Sequence, residues 1–106
     1  MVAFPMNRQA SQPKFPLGQV LATPGALEAL QQSGESPAEF LGRHVTGDWG
    51  DVCDEDKALN DEALNDGSRI LSAYRTSKGE RIWIITEACD DQGHRCCSTI
   101  LKPSEY

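Results

Sequence analysis

Side chains that could do chemistry are concentrated in residues 43–51, which read RHVTGDWGD. His44 can exchange protons near neutral pH. Asp48 and Asp51, three residues apart, could hold a divalent cation or share general acid and base chemistry. With Glu87 added, these residues form the candidate catalytic set of a small metal-dependent hydrolase or nuclease. Their spacing matches no established ligand motif.

The same residues also have ordinary structural uses. His44 follows Phe40 by four residues, so it can pack on the same helix face and hydrogen-bond within the fold. Asp48 and Asp51 can accept hydrogen bonds from nearby backbone amides in a loop. This reading favours a binding protein over an enzyme, and no cofactor is expected.

A second group of potential ligands lies between residues 89 and 97. Cys89, His94, Cys96 and Cys97 carry the atoms that zinc prefers, but their spacing departs from a standard zinc knuckle. Zinc binding at these residues is therefore a minor hypothesis. All four cysteines of the chain, Cys53 included, are expected to be free thiols, because nothing in the sequence indicates secretion.

Tyr74 and Trp83 are the conspicuous aromatic pair of the C-terminal half. A two-residue loop at Lys78 and Gly79 would place them opposite each other on one face of a hairpin. If helices cover that face the two rings belong to the core, and if not they form an exposed anchor for a partner. Trp49 lies between two glycines and is expected to turn inward, with its N–H bonded to a backbone carbonyl.

The elements that must position these residues follow from caps and periodicity. An extended arm over 1–16 precedes a single α+β domain over 17–106. The domain is predicted as N-terminal helices, a helical hairpin plus a third acidic helix, packed on a three-stranded antiparallel β-meander. The hairpin begins at the cap Thr23 and continues at a capping box from Ser36 to Glu39. The remaining predicted elements are a helix over about 54–66 and strands over 69–76, 81–87 and 98–102.

Charge restricts the partners. The chain carries −6 at neutral pH, and residues 48–66 alone carry −7, with eight of the sixteen acids and one lysine. Nucleic acid is an unlikely partner for such a chain, and a basic protein is favoured instead. No apolar run is long enough to span a membrane, so a cytoplasmic location is expected. The oligomeric state is left open.

These considerations define a candidate binding surface on and around the central loop. It comprises Arg43, His44, Asp48, Trp49, Asp51, Tyr74 and Trp83.

Three stretches, residues 43–51, 65–69 and 81–88, resemble a family of small bacterial proteins carried on plasmids, phages and integrated elements. Members of that family are usually labelled hypothetical or plasmid-related. The similarity extends from about Phe15 to Tyr106, and the chain departs from the family in its longer, thiol-bearing turn over 89–97. The resemblance implies an accessory protein that acts on a host defence or replication factor. Helices before a β-meander are also similar to small ribonuclease toxins, but the basic RNA-facing surface is lacking.

Overall fold

The computed structural model describes residues 12–106, and these form three α-helices and one mixed four-stranded sheet. In chain order the elements are β1 (Gln19–Ala22), α1 (Pro24–Ser33), α2 (Pro37–Val45), α3 (Asp54–Asp66), β2 (Ile70–Arg75), β3 (Arg81–Thr86), β4 (Cys97–Leu101) and a 3₁₀ turn (Pro103–Glu105). The α+β class is confirmed. Most of the arm predicted over 1–16 lies outside the described residues. No helix in the described range is long and apolar enough to cross a membrane.

The predicted three-stranded antiparallel sheet is wrong in one respect, because a fourth strand joins it. The strand order is β1-β4-β3-β2, and β1 pairs parallel to β4 while the other pairs are antiparallel. Pairing between two segments so far apart in the chain leaves no local sequence signal. The short apolar run before the first helix therefore becomes a sheet edge.

The helix starts follow the predicted caps. Thr23 accepts a hydrogen bond from the Ala26 amide at the start of α1, and Ser36 accepts one from Ala38 at the start of α2. The capping box is only half formed, since Ser36 bonds the second helical amide and Glu39 remains exposed. The helical hairpin therefore rests on two side-chain caps.

Helix α3 occupies the predicted range but turns a different side inward. Asn60 and Ala63 are its buried residues, whereas Leu59 is 60% exposed. The Asn60 amide donates to the Leu71 carbonyl at 2.7 Å, and its oxygen accepts from the Leu71 amide at 3.1 Å. One side chain thus satisfies both backbone groups of Leu71, which an open sheet edge would leave unpaired.

Replacing Asn60 by alanine should lower the free energy of unfolding by roughly 2 kcal/mol, because two partly buried backbone groups lose their only polar partner. Asn65→Ala, which truncates an exposed residue of the same helix, is the matched control and should cost only a few tenths of a kcal/mol. Urea unfolding of the two variants compares them directly. Equal stability of both would mean that the edge contact contributes nothing.

One face of the sheet carries the helices. The two clusters of buried apolar side chains take their sheet members only from this face, and these members are Ile70, Tyr74, Ile82, Ile84 and Ile100. The opposite face carries Leu71, Ala73, Trp83, Ile85 and Leu101. The 3₁₀ turn packs near β3, and Tyr106 contacts Trp83 edge-on at 5.7 Å between ring centroids.

The register predicted for the β2–β3 hairpin is wrong by one residue. Ala73 pairs with Trp83 and Tyr74 pairs with Ile82, so the two aromatic rings lie on opposite faces. The cause is a three-residue loop closed by the Thr76 amide bonding to Glu80, with Gly79 at φ 86°. Glycine in this left-handed position favours the three-residue turn over the two-residue one. Tyr74 consequently belongs to the core, and Trp83 does not.

Candidate functional site

His44 lies at the centre of a buried chain of hydroxyl groups. It is 0% exposed, and its Nδ1 and Nε2 lie 2.5 and 2.8 Å from the oxygens of Ser72 and Thr86. Thr86 in turn lies 2.6 Å from the Ser98 oxygen, and Ser98 donates to the Leu17 carbonyl at 2.7 Å. The imidazole therefore links α2 to β2, β3, β4 and the segment before β1.

The direction of every proton in this chain follows from its last member. The Ser98 hydroxyl donates its only hydrogen to the Leu17 carbonyl, so in its contact with Thr86 it must be the acceptor. Thr86 then has no hydrogen left for His44, which makes Nε2 the protonated nitrogen. Nδ1 accepts from Ser72. A single neutral tautomer thus satisfies all four side chains.

His44 is held neutral by its surroundings. Burial, with a smaller contribution from the positive charge of Arg95, lowers the pKa of His44 to about 3. Both ring nitrogens are occupied, and no face of the ring is open to solvent. The imidazole is a structural element and cannot act as a base on an external substrate in this conformation.

Arg95 is a buried charge that the sequence analysis did not single out. Its guanidinium donates to the carbonyls of Ser68, Glu87 and Ala63 at 2.8–3.0 Å and lies over the Phe15 ring. Ala63 is in the last turn of α3, where helix carbonyls favour a cation. An arginine in a polar turn gives no sign in the sequence that it will fold inward.

The loop after α2 is fixed by contacts around Asp48. The Asp48 carboxylate accepts from Arg43 at 2.7 Å, and the hydrogen bond from that guanidinium is the main reason that the pKa of Asp48 is lowered. The Asp48 carbonyl accepts from the Tyr74 hydroxyl, and burial raises the pKa of Tyr74. Arg43 also lies 4.5 Å above the Tyr74 ring. Asp48 Oδ1 also accepts from the Gly50 amide at 3.2 Å, which confirms the predicted role of Asp48 as an acceptor for a nearby backbone amide.

Gly50 brings this loop against the edge of β2. The Ala73 amide donates to Trp49 and the Ala73 carbonyl accepts from Asp51, which makes a short parallel bridge. Gly50 has φ 75°, and a Cβ there would lie 2.0 Å from the Ala73 oxygen. Only glycine permits this approach, so the loop position depends on it.

Trp49 turns inward as predicted, with 5% of its surface exposed. Its ring packs near Phe15 and His44. The prediction that its N–H would bond to a backbone carbonyl is wrong, because the acceptor is the Asp61 carboxylate at 3.0 Å. The indole thereby ties the loop to α3.

The candidate catalytic residues are not brought together as a working site. His44 is buried and fully hydrogen-bonded, while Asp48, Asp51 and Glu87 are exposed. Within residues 12–106 no group of three or more His, Cys, Asp or Glu side chains could hold a metal ion. The hypothesis of a metal-dependent hydrolase or nuclease requires a ligand cluster that the described residues do not form.

The candidate zinc ligands of the cysteine-rich turn over 89–97 are not brought together either. Cys89, Cys96 and Cys97 are free thiols, as is Cys53, and none of them joins His94 in a metal-holding group among the described residues. The turn is held instead by Asp90, which accepts from the amides of Gln92 and His94. The adjacent Cys96 raises the pKa of Cys97.

The candidate binding surface is divided in the same way. His44, Trp49 and Tyr74 are buried, whereas Arg43, Asp48 and Asp51 are exposed and Trp83 is half-buried on the far face of the sheet. The buried three position the loop but present no surface. The exposed residues remain available to a partner.

Two surface features of the described residues could bind a partner or a ligand. The first is a hollow of about 330 Å³ on the helix-free face, lined by Asp51, Ala73, Tyr74, Arg75, Arg81 and Trp83. The second is the acidic surface, defined here as the carboxylates of Asp54, Glu55, Asp61, Glu62 and Asp66 on α3. Sequence reasoning found the acidic surface but not the hollow, because the hollow depends on the hairpin register.

Comparison of the chain with family models, with curated proteins and with solved structures finds no match.

Proposed function

We propose that this protein is a non-catalytic binding protein whose acidic surface docks on a basic protein. The observation that carries the proposal is the way α3 is attached. It buries only Asn60 and Ala63, and polar contacts from Asn60 and Asp61 fix it to the sheet edge and to Trp49. A helix with so little apolar burial contributes little to the core. Its main effect is to hold a row of carboxylates in fixed positions at the surface.

These five acids are exposed, although one oxygen of Asp61 accepts from the Trp49 indole and one oxygen of Asp66 accepts from the Ser68 amide. Among residues 12–106 the ion pairs involve Asp48, Asp51 and Glu80, and none involves an acid of α3. Asp54 and Glu55 at the start of the helix also interact favourably with its dipole, but Glu62 and Asp66 lie beyond the first turn. Unpaired exposed carboxylates accelerate association with a positively charged surface.

The resemblance to proteins of mobile genetic elements supplies the setting for this proposal. A basic host defence or replication protein is the partner class that such an element would engage. His44 supports the non-catalytic reading, since its nitrogens serve the fold. The hydrolase, nuclease and toxin alternatives gain no support from the arrangement of His44 and the nearby carboxylates.

The test is charge removal on matched surfaces. Glu55 and Glu62 are seven residues apart and share one side of α3, so Glu55→Gln/Glu62→Gln removes two charges from the acidic surface. Glu28→Gln/Glu39→Gln removes two charges from exposed positions on α1 and α2 and is the control. A specific partner captured from bacterial lysate should be lost with the first variant, should be retained with the control, and should be released by raised salt.

A partner retained equally by both variants would contradict the proposal. The proposal would also be contradicted if the wild type captured no protein that Glu55→Gln/Glu62→Gln fails to capture.

A further inference from the structure

The hollow on the helix-free face contains an unfavourable pair of charges. Arg75 and Arg81 are direct cross-strand partners in the β2–β3 register, and both side chains project from the same face. Like charges placed directly opposite each other destabilise a sheet. Asp51 offsets this only weakly, at 3.9 Å from Arg75 with both side chains more than half exposed. Such a local conflict is expected where a site is kept for a ligand.

The other described arginines are already engaged. Arg43 bonds to Asp48, Arg69 donates to the Tyr106 hydroxyl, and Arg95 donates to three carbonyls. The Arg81 side chain makes no hydrogen bond or ion pair with any residue in 12–106, although the chain has more acids than bases. Within the described part of the chain, the hollow therefore presents one guanidinium without a partner, that of Arg81, and one weakly paired guanidinium, that of Arg75.

The remaining lining residues define the kind of anion. Two guanidinium groups suit the oxygens of a phosphate, to which arginine donates in a bidentate manner. Trp83 supplies an aromatic wall beside them, held on one side by Tyr106. Asp51 supplies an acceptor for an amino or hydroxyl group. A volume of about 330 Å³ lies in the size range of small-ligand sites.

We propose that this hollow binds a free nucleotide, with its phosphate on Arg75 and Arg81 and its base against Trp83. A phosphate joined through a sugar to a planar base is a ligand that uses both guanidiniums and the indole. A long nucleic acid strand fits less well, since it needs an extended basic track and this chain carries −6. This site is independent of the acidic surface on α3.

The binding test uses adenosine and guanosine monophosphate, with inorganic phosphate, adenosine and a single-stranded decanucleotide as comparisons. Affinity is measured by calorimetry, and contact is located by the NMR shift of the Trp83 indole N–H, with buried Trp49 as the internal reference. At least one mononucleotide should bind ten or more times more tightly than phosphate or adenosine. Its binding should move the Trp83 signal and not that of Trp49.

Arg81→Gln is the informative variant, because the Arg81 side chain has no described hydrogen bond or ion pair to lose. It should weaken mononucleotide binding at least tenfold while leaving the melting temperature unchanged or higher, since it removes the like-charge pair. Lys78→Gln, in the hairpin loop outside the hollow, removes the same charge and should bind as wild type does. Undiminished binding by Arg81→Gln would overturn the proposal. Equal affinity for inorganic phosphate, tighter binding of the oligonucleotide per nucleotide, or no binding would also overturn it.

Discussion

Lowering the pH from 6.5 to about 4.5 should reduce the free energy of unfolding by up to about 1.4 kcal/mol for each pH unit. In the unfolded chain His44 takes up a proton near its usual pKa of 6.5, whereas in the folded protein its pKa is about 3. The unfolded state therefore binds more protons throughout this window, so stability falls as the pH falls. Denaturant titrations at a series of pH values measure the slope.

The carboxylates act in a lower pH range. Hydrogen bonds lower the pKa values of Asp48, Asp66 and Asp90, so their contributions are lost mainly below about pH 4. His44→Gln should be less stable at neutral pH but should lose most of the slope between pH 6.5 and 4.5. His94→Gln, which removes an exposed imidazole, should retain the slope. An unchanged slope in His44→Gln would show that the buried imidazole is not its source.

Truncating Trp49 to alanine should lower the free energy of unfolding by roughly 3–5 kcal/mol, the range for large core side chains. The ring is almost fully buried beside Phe15 and His44, and its loss leaves a cavity where the loop meets α3. It also leaves Asp61 without the indole donor. Thermal and chemical unfolding of the variant give the magnitude.

Asp61→Ala separates packing from hydrogen bonding in this prediction. It removes the acceptor of the indole N–H but leaves the ring in place, so it should cost about 1–2 kcal/mol. A Trp49→Ala variant with the same melting temperature as the wild type would contradict the buried position of the ring. A loss in Asp61→Ala as large as in Trp49→Ala would assign the effect to the hydrogen bond instead of to packing.

The ends of the helices could be predicted from the sequence because the interactions that fix them are local. The caps at Thr23 and Ser36 and the closing Gly67, at φ 80°, set helix ends within a few residues of themselves. The apolar face of α2, including His44, followed from helical period alone. These features depend on neighbours along the chain, so their residues can be read in order.

Features set by distant contacts were missed or misassigned. The pairing of β1 with β4 and the inward turn of Arg95 depend on residues far along the chain. The β2–β3 register was also misassigned, although its loop is local. The predicted two-residue loop placed Tyr74 and Trp83 on one face, whereas the three-residue loop ending at Gly79 places them on opposite faces, because side chains alternate along a strand. The hollow could not be predicted from the incorrect register, because its lining depends on which residues of β2 and β3 are paired.

The partners of His44 did leave a signal. Ser72, Thr86 and Ser98 stand among isoleucines at inward positions of three strands, where an apolar residue is the usual choice. Several polar residues at inward positions of adjacent strands indicate a shared buried partner. His44, the one titratable residue on the apolar face of α2, meets that requirement.

The parallel pairing of β1 with β4 has a consequence for biosynthesis. The Gln19–Ala22 strand is the first strand of the sheet to be made, and its partner Cys97–Leu101 is the fourth. At ordinary translation rates of about 5–20 residues per second, β1 waits roughly 4–15 s for the strand that completes the sheet. A nascent chain that has emerged only as far as α3 lacks β2, β3 and β4, the strands that contribute the buried sheet residues of both core clusters. The sheet is therefore completed only after β4 has been made, and until then the helix residues of the core, such as Phe40 and Leu41, lack the strands against which they pack and are open to chaperones and proteases.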